Sequence, residues 1–202
     1  MRILVTGFEP FLDEKVNPTS RLAEYADTIR DVRGMVLPVV FDRAFECLER
    51  ERLVFQPDVV LSFGLAAGRT HVEIEEIAVN RRGDDTGGVS ETTLVGRESR
   101  SENRRDNIGN ALTGTIREGG PLALSTTLPV SRLIHALRAK GLPARRSFTA
   151  GTYVCNDLFY QTQERLLYTN VKSGFIHVPR FESLPWEKLQ EALDSILEEI
   201  RT

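Results

Sequence analysis

The sequence is poor in cysteine, in long apolar runs and in excess charge of either sign. Only two cysteines, Cys47 and Cys155, occur among 202 residues, fewer than a secreted scaffold held by disulfides needs. The sequence has no apolar stretch of the length that a signal peptide or a membrane span requires. Lysine and arginine number 26 against 29 acidic residues, so the basic excess typical of nucleic-acid-binding proteins is missing. We therefore expect a cytoplasmic protein with reduced thiols, and neither nucleic acid nor a membrane as its partner.

Several common catalytic and binding motifs are missing as well. Ser62, in the sequence LSFG, lacks the first glycine of a serine-hydrolase elbow. The sequence contains no glycine-rich phosphate loop, no His-Glu-x-x-His and no paired Cys-x-x-Cys. It therefore gives no support for a bound nucleotide, a metal or another cofactor.

Hydrophobic periodicity favours one α/β domain covering residues 1–202, a length that can bury a substantial core. Short apolar runs that end at turns are typical of buried strands in a parallel sheet. Such runs predict strands at 3–6, 36–40, 59–63, 123–128, 145–148 and 174–179, and helical patterns occur at 18–26, 44–54, 130–139, from near Cys155 and after Pro185. Alternating strands and helices imply crossover connections and a mostly parallel sheet.

Two segments depart from this pattern. Residues 72–79 alternate apolar and charged side chains, which predicts one strand with a core face and a polar face toward solvent or a cleft. Residues 81–120 hold eight of the fifteen glycines and no Phe, Trp or Tyr. We interpret them as a long, irregular and partly mobile loop, which could be a functional cover of a site or a tolerated surface insertion.

Cys155 and His177 are the candidate chemical groups. Cys155 follows an Ala-Gly turn where a helix should begin, and the exposed amides and dipole of a helix start favour a thiolate. His177 interrupts an otherwise apolar strand, so a partner is needed for each ring nitrogen. The structural alternatives are a buried small cysteine and a satisfied core histidine. Cys47 lies in the middle of a helical pattern and is interpreted as core.

A thiolate, an imidazole base and a group that orients the imidazole together make a cysteine hydrolase. Glu73 and Glu75 share the polar face of the predicted strand 72–79, and either could supply the third group. Spacing alone does not separate them. The alternative for both is a solvated strand face.

Blocks of sequence in a fixed order resemble the pyroglutamyl peptidase I family, also called pyrrolidone carboxyl peptidases. These blocks are TGFEPF followed by VNP, GLAAGRTHVEIEEIAVN, SFTAGTYVCN and SGFIHVP, and they span almost the whole chain. The resemblance implies a cysteine exopeptidase that removes an N-terminal 5-oxoproline from peptides and needs no cofactor. It also implies a three-layer α/β/α sandwich, phosphorylase/hydrolase-like, with a mostly parallel twisted sheet, assembled as a homotetramer.

The resemblance also implies roles for individual residues. Cys155 matches the nucleophile, His177 the base and Glu75 the orienting carboxylate, which decides between Glu73 and Glu75. The substrate-binding positions that match are Phe8 and Phe11, which flank the lactam ring, and Tyr153 and Val154 beside the nucleophile.

Some positions depart from the family pattern. Glu73 stands where a small hydroxyl residue is usual and Glu76 where a basic residue is usual, so the site carries more negative charge than expected. Such charge would raise the pKa of His177, whereas carboxylates that point to solvent would change it little. Leu12 and Asp13 replace two glycines, and the residues after Asn80 do not match the usual Ile-Pro-Asp-Asn segment. Two alternatives to the peptidase therefore remain: a lactam-binding protein without turnover, and a cysteine amidase with another substrate.

Overall fold

A computed structural model of the chain describes residues 1–11, 14–83 and 114–202. The elements in these ranges are β1 (Ile3–Phe8), α1 (Pro18–Ala26), β2 (Val32–Leu37), α2 (Arg43–Phe55), β3 (Val59–Leu65), β4 (Val72–Glu75), β5 (Ile77–Val79), β6 (Ala123–Ser125), α3 (Val130–Ala139), β7 (Ala144–Ser147), α4 (Val154–Leu166), β8 (Lys172–Val178) and α5 (Trp186–Arg201). Most of the predicted loop 81–120 lies outside the described residues, as do Leu12 and Asp13.

Six strands form the central sheet in the order β2-β1-β3-β8-β4-β7. Strand β4 runs antiparallel to β8, and the other neighbouring pairs are parallel. The predicted mostly parallel α/β sheet is thus confirmed. Strand β8 lies between β3 and β4, and its register places Gly64 and Glu73 on either side of His177.

Helices cover both faces of this sheet. Successive residues of β1 point to opposite faces of the sheet and belong to different core clusters. Ile3 packs in a first cluster with Leu133 and Leu193, and Leu4 packs in a second cluster with Leu158. The first cluster joins the sheet to α1, α3 and α5, and the second joins it to α2 and α4. The expected three-layer α/β/α sandwich is therefore confirmed.

Local sequence explains where α1 begins. Asn17 is its N-cap, with a side-chain oxygen that accepts a hydrogen bond from the Thr19 amide at 3.1 Å. Pro18 follows at the first helical position, where its fixed φ and missing N–H cost nothing.

No helix in the described ranges combines the length and the apolar character that crossing a membrane requires.

Three predicted strands differ from the structure, and the shortest difference is at 123–128, where β6 covers only Ala123–Ser125. The single strand predicted at 72–79 is wrong, because β4 ends at Glu75 and β5 pairs with β6 in a separate two-stranded sheet. At the break, the Glu76 amide donates to Ser147 and its carbonyl accepts from Thr126. The alternation of apolar and charged residues continues across this break and conceals it. The strand predicted at 36–40 begins earlier, at Val32, because β2 is a partly exposed edge strand with a weak apolar signal.

Candidate active site

Cys155 is the second residue of α4, close to the position predicted for it. The preceding turn contains Gly151 at φ 78°, a left-handed conformation that glycine adopts without strain. The thiol is partly exposed and lies against Gly64 of β3, where an added Cβ would stand 2.9 Å from Sγ. The missing side chain of Gly64 therefore provides the space that the sulfur occupies.

His177 lies near the end of β8 and is 5% exposed. Its Nδ1 is 2.7 Å from Oε1 of Glu75, and the ring also shares a hydrogen bond with the Cys155 side chain. The Phe175 ring packs against the imidazole, with 5.0 Å between ring centroids. The structure thus brings together the three residues that the sequence singled out, in the order thiol, imidazole, carboxylate.

The environment of His177 favours its charged form. Burial alone would lower its pKa, but hydrogen bonds and charge interactions with Cys155 and Glu75 outweigh burial and raise the pKa of His177 from 6.5 to about 9. An imidazole with two acidic partners is held as imidazolium near neutral pH. It therefore starts as a proton donor next to the sulfur.

The two glutamates of β4 have different partners. Glu73 and Glu75 are 1% and 0% exposed, so the solvated-face interpretation is wrong. All four residues of β4 are buried, so neither face of this strand is open to solvent. Glu75 contacts His177, whereas Glu73 pairs with Arg69 and accepts from Arg145 Nε at 2.6 Å. The extra negative charge expected at position 73 is therefore balanced by two guanidinium groups.

Arg69 is a site residue that the sequence did not reveal. Its guanidinium contacts Glu73 and also lies 3.4 Å from Oε1 of Glu75 and 3.4 Å from the Ser147 hydroxyl. The second oxygen of Glu75, Oε2, is buried and has no hydrogen-bond partner among the described residues. Arg69 lies in the connection between β3 and β4. Its place in the site follows from its contacts with the buried carboxylates of β4, and no sequence pattern shows those contacts.

An apolar pocket lies beside Cys155. The four residues expected to bind substrate all line it together with three that were not expected: Phe8, Phe11, Tyr153, Val154, Asn17, Val39 and Leu65. The amide of Asn17 is bonded to the Glu9 carbonyl and to Thr19, so it supports the pocket wall. Within the described ranges, no group of three or more His, Cys, Asp or Glu side chains could hold a metal ion.

A partly buried ion cluster supports the start of α4. Arg82 contacts Asp157 at 2.5 Å and Asp42 at 2.5 and 2.8 Å. Burial raises the pKa of Asp157 although Arg82 acts to lower it, and the hydrogen bond from Arg82 lowers the pKa of Asp42. Next to it, Gly83 and Thr152 exchange two hydrogen bonds at 3.0 and 2.8 Å. Residues on both sides of the nucleophile are thereby attached to residues 82 and 83.

The chain is similar to known peptidases over almost its whole length. Residues 1–200 match a family model described as pyroglutamyl peptidase. Pyrrolidone-carboxylate peptidases of Pyrococcus furiosus and Brevibacillus brevis are each 38% identical to it, over 89% and 88% of this chain and 81% and 77% of theirs.

Solved structures give the same result. A mutant pyrrolidone carboxyl peptidase from P. furiosus superimposes with a TM-score of 0.86 at 34% identity, covering 100% of this chain and 99% of that one. Pyroglutamyl peptidase I of Bacillus amyloliquefaciens gives a TM-score of 0.82 at 30% identity, covering 96% and 94%. These matches span the elements that carry Cys155, His177 and Glu75.

Proposed function

The chain belongs to the pyroglutamyl peptidase family, and we propose that its Cys155, His177 and Glu75 hydrolyse the peptide bond after an N-terminal 5-oxoprolyl residue. The observation that carries this assignment is the linked set of contacts from Cys155 to His177 and from His177 to Glu75, with 2.7 Å between Nδ1 and Oε1. Cys155 itself lines the apolar pocket of Phe8, Phe11, Tyr153 and Val154. A nucleophile, a base and an orienting group beside such a pocket are the parts that acyl transfer requires.

The pocket suits the chemistry of the lactam. A 5-oxoprolyl residue is neutral and lacks the ammonium group of an ordinary N-terminus. Transfer of an ammonium group into an apolar pocket without a partner costs far more than transfer of an amide. The rings of Phe11 and Tyr153, with centroids 6.2 Å apart, give the lactam an apolar wall. Selection therefore rests on the exclusion of free amines.

Catalysis follows from the order of the three groups. The Cys155 thiolate attacks the carbonyl carbon, a C–S bond forms, and the Cys155 amide at the helix start stabilises the oxyanion. The His177 imidazolium donates its proton to the leaving amine as the C–N bond breaks. It then takes a proton from water, which attacks the thioester and releases 5-oxoproline and the thiolate. Glu75 accepts from Nδ1–H throughout, which fixes the ring orientation and stabilises the imidazolium.

Matched amide substrates test this function. The same chromophore attached to 5-oxoproline, to proline and to glutamate should be released from the first about 10²-fold or more faster in kcat/KM, equivalent to about 3 kcal/mol. Proline is the sharpest control because it keeps the ring and adds the charge. A lactam ligand that raises the melting temperature without any release of chromophore would instead indicate a binding protein. Faster release from another amide would indicate a different amidase.

The pH dependence should show the imidazolium. Because His177 must carry a proton for the leaving amine, kcat/KM should fall as the pH rises through about 9, the raised pKa of His177. The same raised pKa makes a contribution to folding stability that is full below 6.5 and is lost as the pH rises through about 9. A rate profile and thermal unfolding from pH 6 to pH 10 measure both. An activity that stays constant to pH 10 would contradict this assignment.

The proposal extends to the form in which the enzyme works. It acts as a cytoplasmic homotetramer in which residues 1–202 form one catalytic domain, and its substrates are peptides with an N-terminal 5-oxoproline. Support comes from the family resemblance and from the need for a reduced Cys155, which a reducing compartment supplies. Light scattering of the purified protein measures the assembly, and a monomer at working concentration would exclude a tetramer.

A further inference from the structure

Four charged side chains form a connected series that starts at the imidazole, and only Glu75 among them has a role in the mechanism above. The other three, Arg69, Glu73 and Arg145, are joined to one another by ion pairs. Resting on the proposed function, we propose that Glu73 is a positioning residue: it holds the Arg69 guanidinium away from Glu75, so that Glu75 serves His177 alone.

Arg69 is within reach of both carboxylates of β4. One nitrogen, Nη1, contacts Oε2 of Glu73 and is also 3.4 Å from Oε1 of Glu75. That oxygen of Glu75 is the one that accepts from His177 at 2.7 Å. The guanidinium and the imidazolium are therefore neighbours at one acceptor atom, and the shorter contact of Arg69 is to Glu73.

Glu73 is buried and paired with two arginines. Its side chain is 1% exposed, and Arg145 Nε and Nη2 contact its Oε1 at 2.6 and 2.5 Å. A buried carboxylate is stable only with such partners. Glu73 also lies opposite His177 in the register of β4 and β8. The pairing of the strands thus fixes this carboxylate close to the catalytic pair.

Loss of the charge on Glu73 would redistribute the two arginines. Arg69 would then have a single carboxylate of β4 within reach, Glu75. Its Oε2 is buried without a hydrogen-bond partner among the described residues and is an open acceptor for Arg69, whose side chain is 31% exposed and has room to turn. A guanidinium on Glu75 competes with the imidazolium for the same negative charge. His177 would then hold its proton less strongly.

The charged groups that face His177 come from three other elements. They are Cys155 from α4, Glu75 and Glu73 from β4, and Arg69 from the connection between β3 and β4. On β8 itself the neighbour is the uncharged Phe175 ring. Among these groups, Cys155 and Glu75 stabilise the proton directly, and Glu73 acts through Arg69.

The substitution Glu73→Gln tests the proposal because it keeps the shape and removes the charge. The readout is the Cε1–H resonance of His177 in an NMR titration. The chain has three histidines, so the spectrum has few such resonances, and the one that disappears in His177→Asn belongs to His177. We expect the pKa that this titration measures for His177 to fall by about one unit. The pair Arg69→Gln/Glu73→Gln should restore it, because the competing charge is gone. The titration needs no turnover, so a failure of the proposed peptidase activity would be seen separately, in the wild-type amide assay.

A purely structural role for Glu73 gives a different result. In that case Glu73→Gln lowers the melting temperature but leaves the pKa of His177 unchanged, and the proposal is overturned. An equal shift in the single and double variants also overturns it, since Arg69 would then not mediate the effect. If Glu73→Gln does not fold, Arg145→Gln/Glu73→Gln removes one charge of each sign and leaves Arg69 free. The same downward shift in the pKa of His177 is expected in that variant, and an unchanged pKa contradicts the proposal.

Discussion

Replacement of Cys155 by alanine should lower kcat for the pyroglutamyl amide by about 10⁴-fold or more while the fold is retained. In the proposed mechanism the thiol is the group that forms a bond to the substrate carbonyl. Alanine fits the space beside Gly64, where the sulfur now lies, so no packing clash accompanies the change. Steady-state kinetics with thermal unfolding of the same preparation measure both halves of this expectation.

Cys47→Ala is the matched control for this experiment. Cys47 is the other cysteine of the chain; it is partly buried and packs against the second core cluster. Its loss should leave kcat within about twofold and cost stability only through packing. Iodoacetamide should inactivate the wild type and the Cys47 variant equally. Substantial turnover by Cys155→Ala would remove Cys155 from the mechanism.

The largest effect on stability is expected at Arg82. Replacement of Arg82 by methionine leaves Asp157, 0% exposed, as a buried carboxylate without its cation, which costs about 3–5 kcal/mol. For a chain of this size that corresponds to a melting temperature lower by roughly 6–20 °C. Asp42 contributes less to the loss, because its side chain is 50% exposed and can be hydrated. Calorimetry at pH 8 measures the change.

Two further measurements identify the cause of that loss. The pair Arg82→Met/Asp157→Asn should recover most of the stability, because the buried charge is gone. Without Arg82 the folded state binds a proton at Asp157 more tightly than the unfolded state does, so stability should rise as the pH falls from 8 to 5. An equal loss at both pH values would instead assign the effect to the packing of Arg82 over the Phe41 ring, 5.6 Å away.

The sequence was informative where a local rule determined the structure. The helix over 130–139 has the predicted bounds, and Cys155 lies at a helix start because the Gly151 turn and the apolar spacing after it are local signals. His177 stood out for a similar reason, as a single polar residue in an apolar strand. The parallel sheet follows from the alternation of strands and helices.

The rest depended on pairings that spacing does not encode. Spacing could not distinguish Glu73 from Glu75, since both share one face of β4 and both are buried; only the family resemblance pointed to Glu75. The partners of Glu73 are Arg69 and Arg145, which no local pattern connects. The cluster of Arg82, Asp42 and Asp157 likewise joins residues 40 and 75 positions apart. Long-range ion pairs therefore account for most of what the sequence left open.

The place of β8 in the sheet also governs when the enzyme can become reactive. Strands β2, β1 and β3 lie on one side of β8, and β4 and β7 lie on the other, so the two halves of the sheet meet only through residues 172–178. His177 and Glu75 are 102 positions apart, and synthesis from the N-terminus delivers the histidine late. Until β8 inserts, Cys155 has no contact with His177. Formation of the catalytic set therefore coincides with insertion of the strand that joins the two halves of the sheet.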